Sequence, residues 1–244
     1  MMEEDGYVLF DGDPRVTAWA AAAEEVARDI AQDPEKQRQN LRHGQTWFVG
    51  VDALPNDAAG AINGVPLVGR WMDQVPELAQ HAAQLSIIYP GYPQRDADQS
   101  AANHRYRLER CAAHVDGLLP EGPQRRRYAR EFHAYILGLP LNPVPAAPTI
   151  VWPGSHKIMQ AAIVAAIGDR SVGDVDLTDA YHAARRDVFA RCAPVPIQAG
   201  PGQSFLIHRF ALHGTAPWRG PAGPGRMIAF FRPEFTNPAQ WLAK

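Results

Sequence analysis

Prolines and glycines constrain this chain more than any other feature of its sequence. Its 244 residues include 22 prolines and 20 glycines. Beyond the first third they cut the chain into short apolar runs: Gln84 to Tyr89, His104 to His114, Glu131 to Leu139, Thr149 to Trp152, Gln203 to His208 and Arg226 to Arg232. Runs of this length bounded by turn residues read as β-strands, because Pro and Gly end a helix before it can lengthen. The stretches Leu139 to Pro148 and Pro217 to Gly225 are loops between such strands.

Ahead of the strands the periodicity changes. Gly6 to Phe10 is strand-like and Gln45 to Ala53 alternates as a strand does, but Val16, Trp19, Ala20, Ala23, Val26 and Ile30 recur at helical spacing. A second helix is expected over Leu67 to His81. Two more fall within Met159 to Cys192, where alanine-rich apolar segments flank Asp176-Leu-Thr-Asp. Helices first and many short strands afterwards predict a mainly β fold, a double-stranded β-helix (jelly roll, cupin-like) with the N-terminal helices packed outside. The expectation is one domain over residues 1–244 with a helical insertion at about 159–192, which either covers a mouth or caps the barrel.

Composition narrows the function classes. With a formal net charge of −2 and 46% hydrophobic residues, the chain has neither the basic surface of a nucleic-acid binder nor the polarity of a disordered one. Its acidic N-terminus is unlike a secretory signal, and no apolar run approaches the length of a membrane span. Cys111 and Cys192 lack paired spacing, which fits a reducing, cytoplasmic setting. A small molecule is the expected partner, with no nucleic acid and no membrane, and the oligomeric state is left open.

Polar residues with chemistry are few and separated. His114 and Asp116 stand one residue apart, so on a strand from His104 to Gly117 both would project from one face, with Tyr106 and Arg110 on that same face. A third ligand could be His208 or His213. His213 is favoured, because Gly214 behind it would permit close backbone approach. Two imidazoles and one carboxylate leave open positions on a non-haem Fe(II) ion. Arg226 opens the apolar run Met227 to Phe231. A guanidinium directed into a barrel needs a carboxylate partner, internal or bound, and its planar fork suits 2-oxoglutarate. Arg219 and Arg232 are weaker choices for that role. Arg105, Arg107 and Arg125 to Arg127 are either solvated or aids to an anionic substrate.

Taken in order, Asp5-Gly-Tyr-Val-Leu before a helix, His114-Val-Asp116, Val151-Trp-Pro-Gly-Ser-His-Lys157, His213-Gly-Thr215 and Arg226 resemble the phytanoyl-CoA dioxygenase family of Fe(II)- and 2-oxoglutarate-dependent oxygenases. The resemblance implies that His114, Asp116 and His213 bind iron, that Arg226 binds the far carboxylate of 2-oxoglutarate and that Thr215 supports the cosubstrate. It also implies that O2 is the second cosubstrate, that a substrate is hydroxylated with release of succinate and CO2, and that His156 chiefly shapes the barrel. The chain departs from the pattern at Gly202-Gln203, at Trp218 and in the length of the loop before Arg226. Asp116 is unlike the family's halogenases, which carry a small residue there. Two other readings stand beside this one. A cupin-like metalloenzyme that does not use 2-oxoglutarate would give Arg226 an internal acidic partner, whereas a non-catalytic barrel would leave the three ligands apart.

Overall fold

A computed structural model describes residues 2–243. In chain order it comprises α1 (Met2–Asp5), β1 (Tyr7–Phe10), α2 (Pro14–Gln32), α3 (Pro34–Asn40), β2 (Leu41–Arg42), β3 (Trp47–Gly50), β4 (Gln84–Ile88), α4 (Ala101–Arg110), β5 (Leu118–Glu121), β6 (Arg126–Ala129), β7 (Tyr135–Pro140), β8 (Thr149–Val151), α5 (Ser155–Ile167), α6 (Thr178–Arg191), β9 (Val195–Ile197), β10 (Ser204–His208), β11 (His213–Thr215), β12 (Arg226–Phe231) and α7 (Pro238–Leu242). Seven strands form an antiparallel sheet in the order β1-β10-β7-β12-β4-β3-β2, and β11-β8-β9 form a second, smaller sheet. The architecture is the expected mainly β jelly roll with flanking helices. No helix among the described residues is long and apolar enough to cross a membrane.

Strand alternation divides the large sheet into two faces with different tasks. Register sets Phe48 opposite Ile87 and Met227 opposite Ile87, with Ala229 opposite both Leu85 and Leu139. These residues share one buried cluster with Trp19, Ala20, Ala23 and Ala27 of α2. The helix is capped by Asp13, whose side chain accepts from Arg15 N–H, and Pro14 opens its first turn. Trp19 is fully buried and donates its indole N–H to the Gly60 carbonyl at 2.8 Å. Helices therefore seal the outer face. On the inner face Phe205, Ile207, Ile136 and Ile228 pack against Val151 and Ile197 of the small sheet, which closes one end of the barrel. The other end stays open, and Trp47, Val49, Ser86, Gln84 and Phe230 line a cavity there.

Three expectations about elements fail for identifiable reasons. His104 to His114 is not a strand: α4 covers Ala101–Arg110, capped by the Ser100 hydroxyl accepting from Asn103 N–H. The segment contains no β-branched residue and is rich in Ala, Arg, Leu and Glu, which favour helix. Its polar residues only imitate alternation. The consequence reaches the site, since Tyr106 and Arg110 do not share a strand face with His114: the Tyr106 hydroxyl donates to the Ala113 carbonyl at 2.6 Å, and Arg110 lies over the Phe189 ring. Leu67 to His81 yields only a 3-10 turn at Arg70–Gln74, because Pro76 cannot continue a helix begun before it. The run from Glu131 becomes strand only at Tyr135.

The helices expected within 159–192 are α5 and α6, and α5 begins earlier, at Ser155. They pack through Met159, Ile163, Tyr181 and Val188 into a cluster holding Ala113, Val115 and Leu212. They support the chain on either side of the candidate ligands from beneath, and none of their residues lines the cavity. The hairpin β5–β6 went unanticipated. It holds Arg126 against Asp176 and Arg127 over the Tyr181 ring, which accounts for two of the three clustered arginines structurally.

Gly138 on β7 lies opposite Phe205 of β10, and a Cβ there would sit 2.1 Å from the Phe205 ring. Gly138→Val is expected to lose about 1–3 kcal/mol of stability through overpacking. Gly138→Val with Phe205→Leu should recover part of that loss, as read from urea unfolding midpoints.

Candidate metal and cosubstrate site

Two polypeptide segments far apart in sequence meet at His114 and His213. The His114 N–H donates to the His213 carbonyl at 2.8 Å, and the His213 N–H donates to the His114 carbonyl at 3.0 Å. An antiparallel pair bonded in both directions sets its two side chains on one face. The imidazole centroids lie 4.7 Å apart. Gly214 makes the approach possible, because a Cβ at this position would stand 2.2 Å from the Cys111 carbonyl oxygen. The Val151–Lys157 motif adds two further restraints on the same strand: Trp152 N–H donates to the Leu212 carbonyl, and the Ser155 hydroxyl accepts from Leu212 N–H at 2.8 Å. His213 follows directly.

Each imidazole is oriented by its own backbone. His114 Nδ1 is 3.0 Å from the Ala112 carbonyl and His213 Nδ1 is 2.9 Å from the Ala211 carbonyl. A carbonyl can only accept, so both Nδ1 atoms carry the proton and both Nε2 atoms present a lone pair. Those lone pairs face Asp116. Its Oδ1 is 3.0 Å from His114 Nε2 and its Oδ2 is 3.6 Å from His213 Nε2. One ligand atom from each of the three residues lies within 4.8 Å of the others. His213 Nε2 is buried without a hydrogen-bond partner among the described residues, as suits an atom that could hold a metal. Burial acts to raise the Asp116 carboxyl, but the Arg232 guanidinium holds it well below the usual carboxylate range.

The two late histidines lie in different surroundings, and only His213 lies beside His114 and Asp116. His208 packs against His156 with the rings tilted and their centroids 5.0 Å apart, and its Nδ1 accepts from Phe210 N–H. Burial pushes its pKa down to about 3. His156 in turn packs against Gly6, where a Cβ would meet its ring at 2.4 Å. Both belong to the joint between β1, α5 and β10, not to the triad.

Arg226 is 4% exposed, and its Nε, Nη1 and Nη2 have no hydrogen-bond partner among the described residues. Its register opposite Ile88 directs it to the inner face of the sheet. Burial pushes its pKa down to about 10, so at neutral pH it remains a cation. A buried cation lacking a counter-charge is strongly unfavourable and calls for an anion from outside the chain. It lines a small cavity together with Thr149, and Thr149 also lines the main cavity of about 680 Å³ that holds the triad. The Thr149 hydroxyl is likewise buried and unpartnered.

Thr215, expected beside the cosubstrate, is half-buried on the main cavity wall and pairs with Thr149 across β11 and β8. The residue whose hydroxyl shares a cavity with Arg226 is thus Thr149, which the sequence reading passed over. Its signal was its place at the head of the strand leading into Trp-Pro-Gly-Ser-His. Arg232 was also undervalued: it lies on the main cavity and bonds Asp116. Arg107 donates to the Tyr92 hydroxyl at 2.9 Å and lies over the Trp47 ring at the cavity wall, whereas Arg105 and Arg219 are exposed.

No protein-family model matches this chain, and no curated protein does. Among solved structures, the chain is similar to the epimerase SnoN in complex with Fe3+, alpha ketoglutarate and nogalamycin RO, at 16% identity over 100% of this chain and 86% of that one, with a TM-score of 0.53. It is also similar to the non-heme alpha ketoglutarate dependent carbocyclase SnoK from nogalamycin biosynthesis, at 16% identity over 95% of this chain and 81% of that one, with a TM-score of 0.51. At these identities the likeness is one of fold, the mainly β jelly roll with flanking helices described above.

Proposed function

We propose that this protein is an Fe(II)- and 2-oxoglutarate-dependent dioxygenase that hydroxylates a small molecule, with His114, Asp116 and His213 as the iron ligands. Arg226 carries the reading. A triad of this composition serves several metals, but a buried guanidinium with no internal partner argues for a bound carboxylate. The rival metalloenzyme reading requires an acidic side chain at Arg226, and no such ion pair exists among the described residues. The non-catalytic reading requires separated ligands, and these three lie within 4.8 Å. When bound, iron with 2-oxoglutarate and O2 supplies the oxidising power, releasing succinate and CO2.

The chain's own residues supply position and charge. His114 and His213 offer Nε2 lone pairs held in direction by backbone carbonyls, and Asp116 adds one negative charge. Arg226 would take the far carboxylate of 2-oxoglutarate in its fork, with the Thr149 hydroxyl donating alongside and Thr215 on the neighbouring wall. The remaining cavity, walled by Trp47, Val49 and Phe230, is of the size that receives a small substrate. In this reading residues 1–244 form one oxygenase domain, with α5 and α6 as an insertion that braces the ligand segments instead of covering the mouth.

An anaerobic titration of the apoprotein with Fe(II) and then 2-oxoglutarate should produce the visible charge-transfer band of the chelate. His114→Ala should abolish it. Arg226→Met should raise the 2-oxoglutarate needed by more than about thirtyfold, the lower bound of roughly 2 kcal/mol for removing one member of a buried charge pair. Absence of the band in wild type despite bound Fe(II) overturns the assignment.

Arg226→Met also separates a binding arginine from a structural one. Replacing an unpaired buried charge by an apolar side chain of similar length should leave the melting temperature of the apoprotein unchanged or raise it. A structural ion pair would give a clear drop in the same thermal scan.

A further inference from the structure

Asp116 has two oxygens in different surroundings. Oδ2 accepts from Arg232 Nε at 2.6 Å, and Arg232 Nη1 donates to Gln84 Oε1 at 2.6 Å. Both charged side chains are mostly buried, 17% and 13% exposed for Arg232 and Asp116, and Arg232 lies over the Phe230 ring at 5.3 Å. The arginine backbone is held as well: its N–H donates to His81 Nε2 at 3.2 Å and its carbonyl is 3.1 Å from His133 Nδ1. Arg232 is thus fixed along its whole length, with its Nε directed at one chosen oxygen of the carboxylate.

A facial triad is useful to this chemistry only if its carboxylate takes a single coordination position. Two of the remaining positions go to a chelating 2-oxo acid and one to O2. A carboxylate can bind a metal through one oxygen or both. We infer that Arg232 is a positioning residue that keeps Asp116 monodentate: by holding Oδ2 in a charge-assisted hydrogen bond it leaves Oδ1 for the metal and preserves the position that a second oxygen would occupy. The inference rests on the oxygenase reading above and assigns Gln84 the task of holding the guanidinium in plane. It concerns the partner of a ligand, an element whose loss commonly costs about 10- to 100-fold in metal affinity or activity.

Co(II) serves as the probe, since its d–d absorption reports coordination number without turnover. Apoprotein loaded with Co(II) is examined before and after 2-oxoglutarate in wild type, Arg232→Gln, Arg232→Lys and Gln84→Leu. Arg232→Gln should bind Co(II) with an altered d–d spectrum in the absence of 2-oxoglutarate, and should then bind 2-oxoglutarate about tenfold more weakly or worse. Arg232→Lys, which keeps a donor but not the fork, should fall between it and wild type. Arg226→Met provides the contrast: it weakens 2-oxoglutarate binding while leaving the Co(II) spectrum before addition as in wild type.

Arg232→Gln with a wild-type spectrum and 2-oxoglutarate affinity within twofold of wild type overturns the inference and leaves the oxygenase reading standing. Failure of wild type itself to form the Co(II) and 2-oxoglutarate complex overturns both. Should Arg232→Gln not fold, Gln84→Leu and Arg232→Lys carry the test, and wild-type behaviour of that pair overturns the inference equally.

Discussion

The reciprocal backbone hydrogen bonds between His114 and His213 are the contact on which the site depends. They join the segment after α4 to the strand β11, and the Thr215 N–H donating to the Cys111 carbonyl at 3.0 Å continues the same junction. Several features of the chain exist to permit this contact. Gly214 removes the Cβ that would strike Cys111, Ser155 and Trp152 hold Leu212, and the α5–α6 pair packs beneath Ala113 and Val115. Directional bonds of this kind are worth only about 1 kcal/mol each in stability. Their value here is geometric, because a metal centre tolerates little error in ligand position.

The inner face of the large sheet shows a division of charge. Along β12 and just beyond it, Arg226 and Arg232 stand at opposite ends of the same face, about 20 Å apart at strand rise. Arg232 is satisfied by Asp116 and Gln84, whereas Arg226 has no hydrogen-bond partner among the described residues. The fold therefore carries one buried cation that destabilises the apoprotein, offset by the apolar packing of Trp19, Phe231 and their neighbours on the outer face. A site kept at such a cost is set up for an anion of defined shape. The same argument distinguishes it from the surface arginines of β6, whose partners are already present.

Much of the architecture was legible in the sequence because the strands after Gln84 are short, apolar and bounded by Pro or Gly, and because α2 repeats its apolar residues at a helical period. The failures share a cause. In His104 to His114 and in Leu67 to His81 a local signal decides against the expected element: helix-favouring side chains behind the Ser100 cap in the first, Pro76 in the second. His114 and Asp116 nonetheless reach one site, because the bridge to His213 does what a strand from His104 was expected to do. Thr149 is absent from the sequence expectations and Arg232 enters them only as a weaker choice for the cosubstrate role, because their importance lies in what they fail to touch or happen to touch across the barrel, and spacing carries no trace of that.

The sequence by itself determined the chemistry available: two histidines and an aspartate in a metal-binding combination, an arginine heading an apolar run and a glycine behind the late histidine. It also determined the class of fold, since breakers and apolar runs are local and write themselves into the order of residues. Tertiary structure alone decided which histidine joins Asp116, which hydroxyl shares a cavity with Arg226 and which arginine remains without a partner. Those outcomes depend on register between strands distant in the chain. A shift of one residue in β11 or β12 would turn each side chain to the opposite face without altering any local pattern.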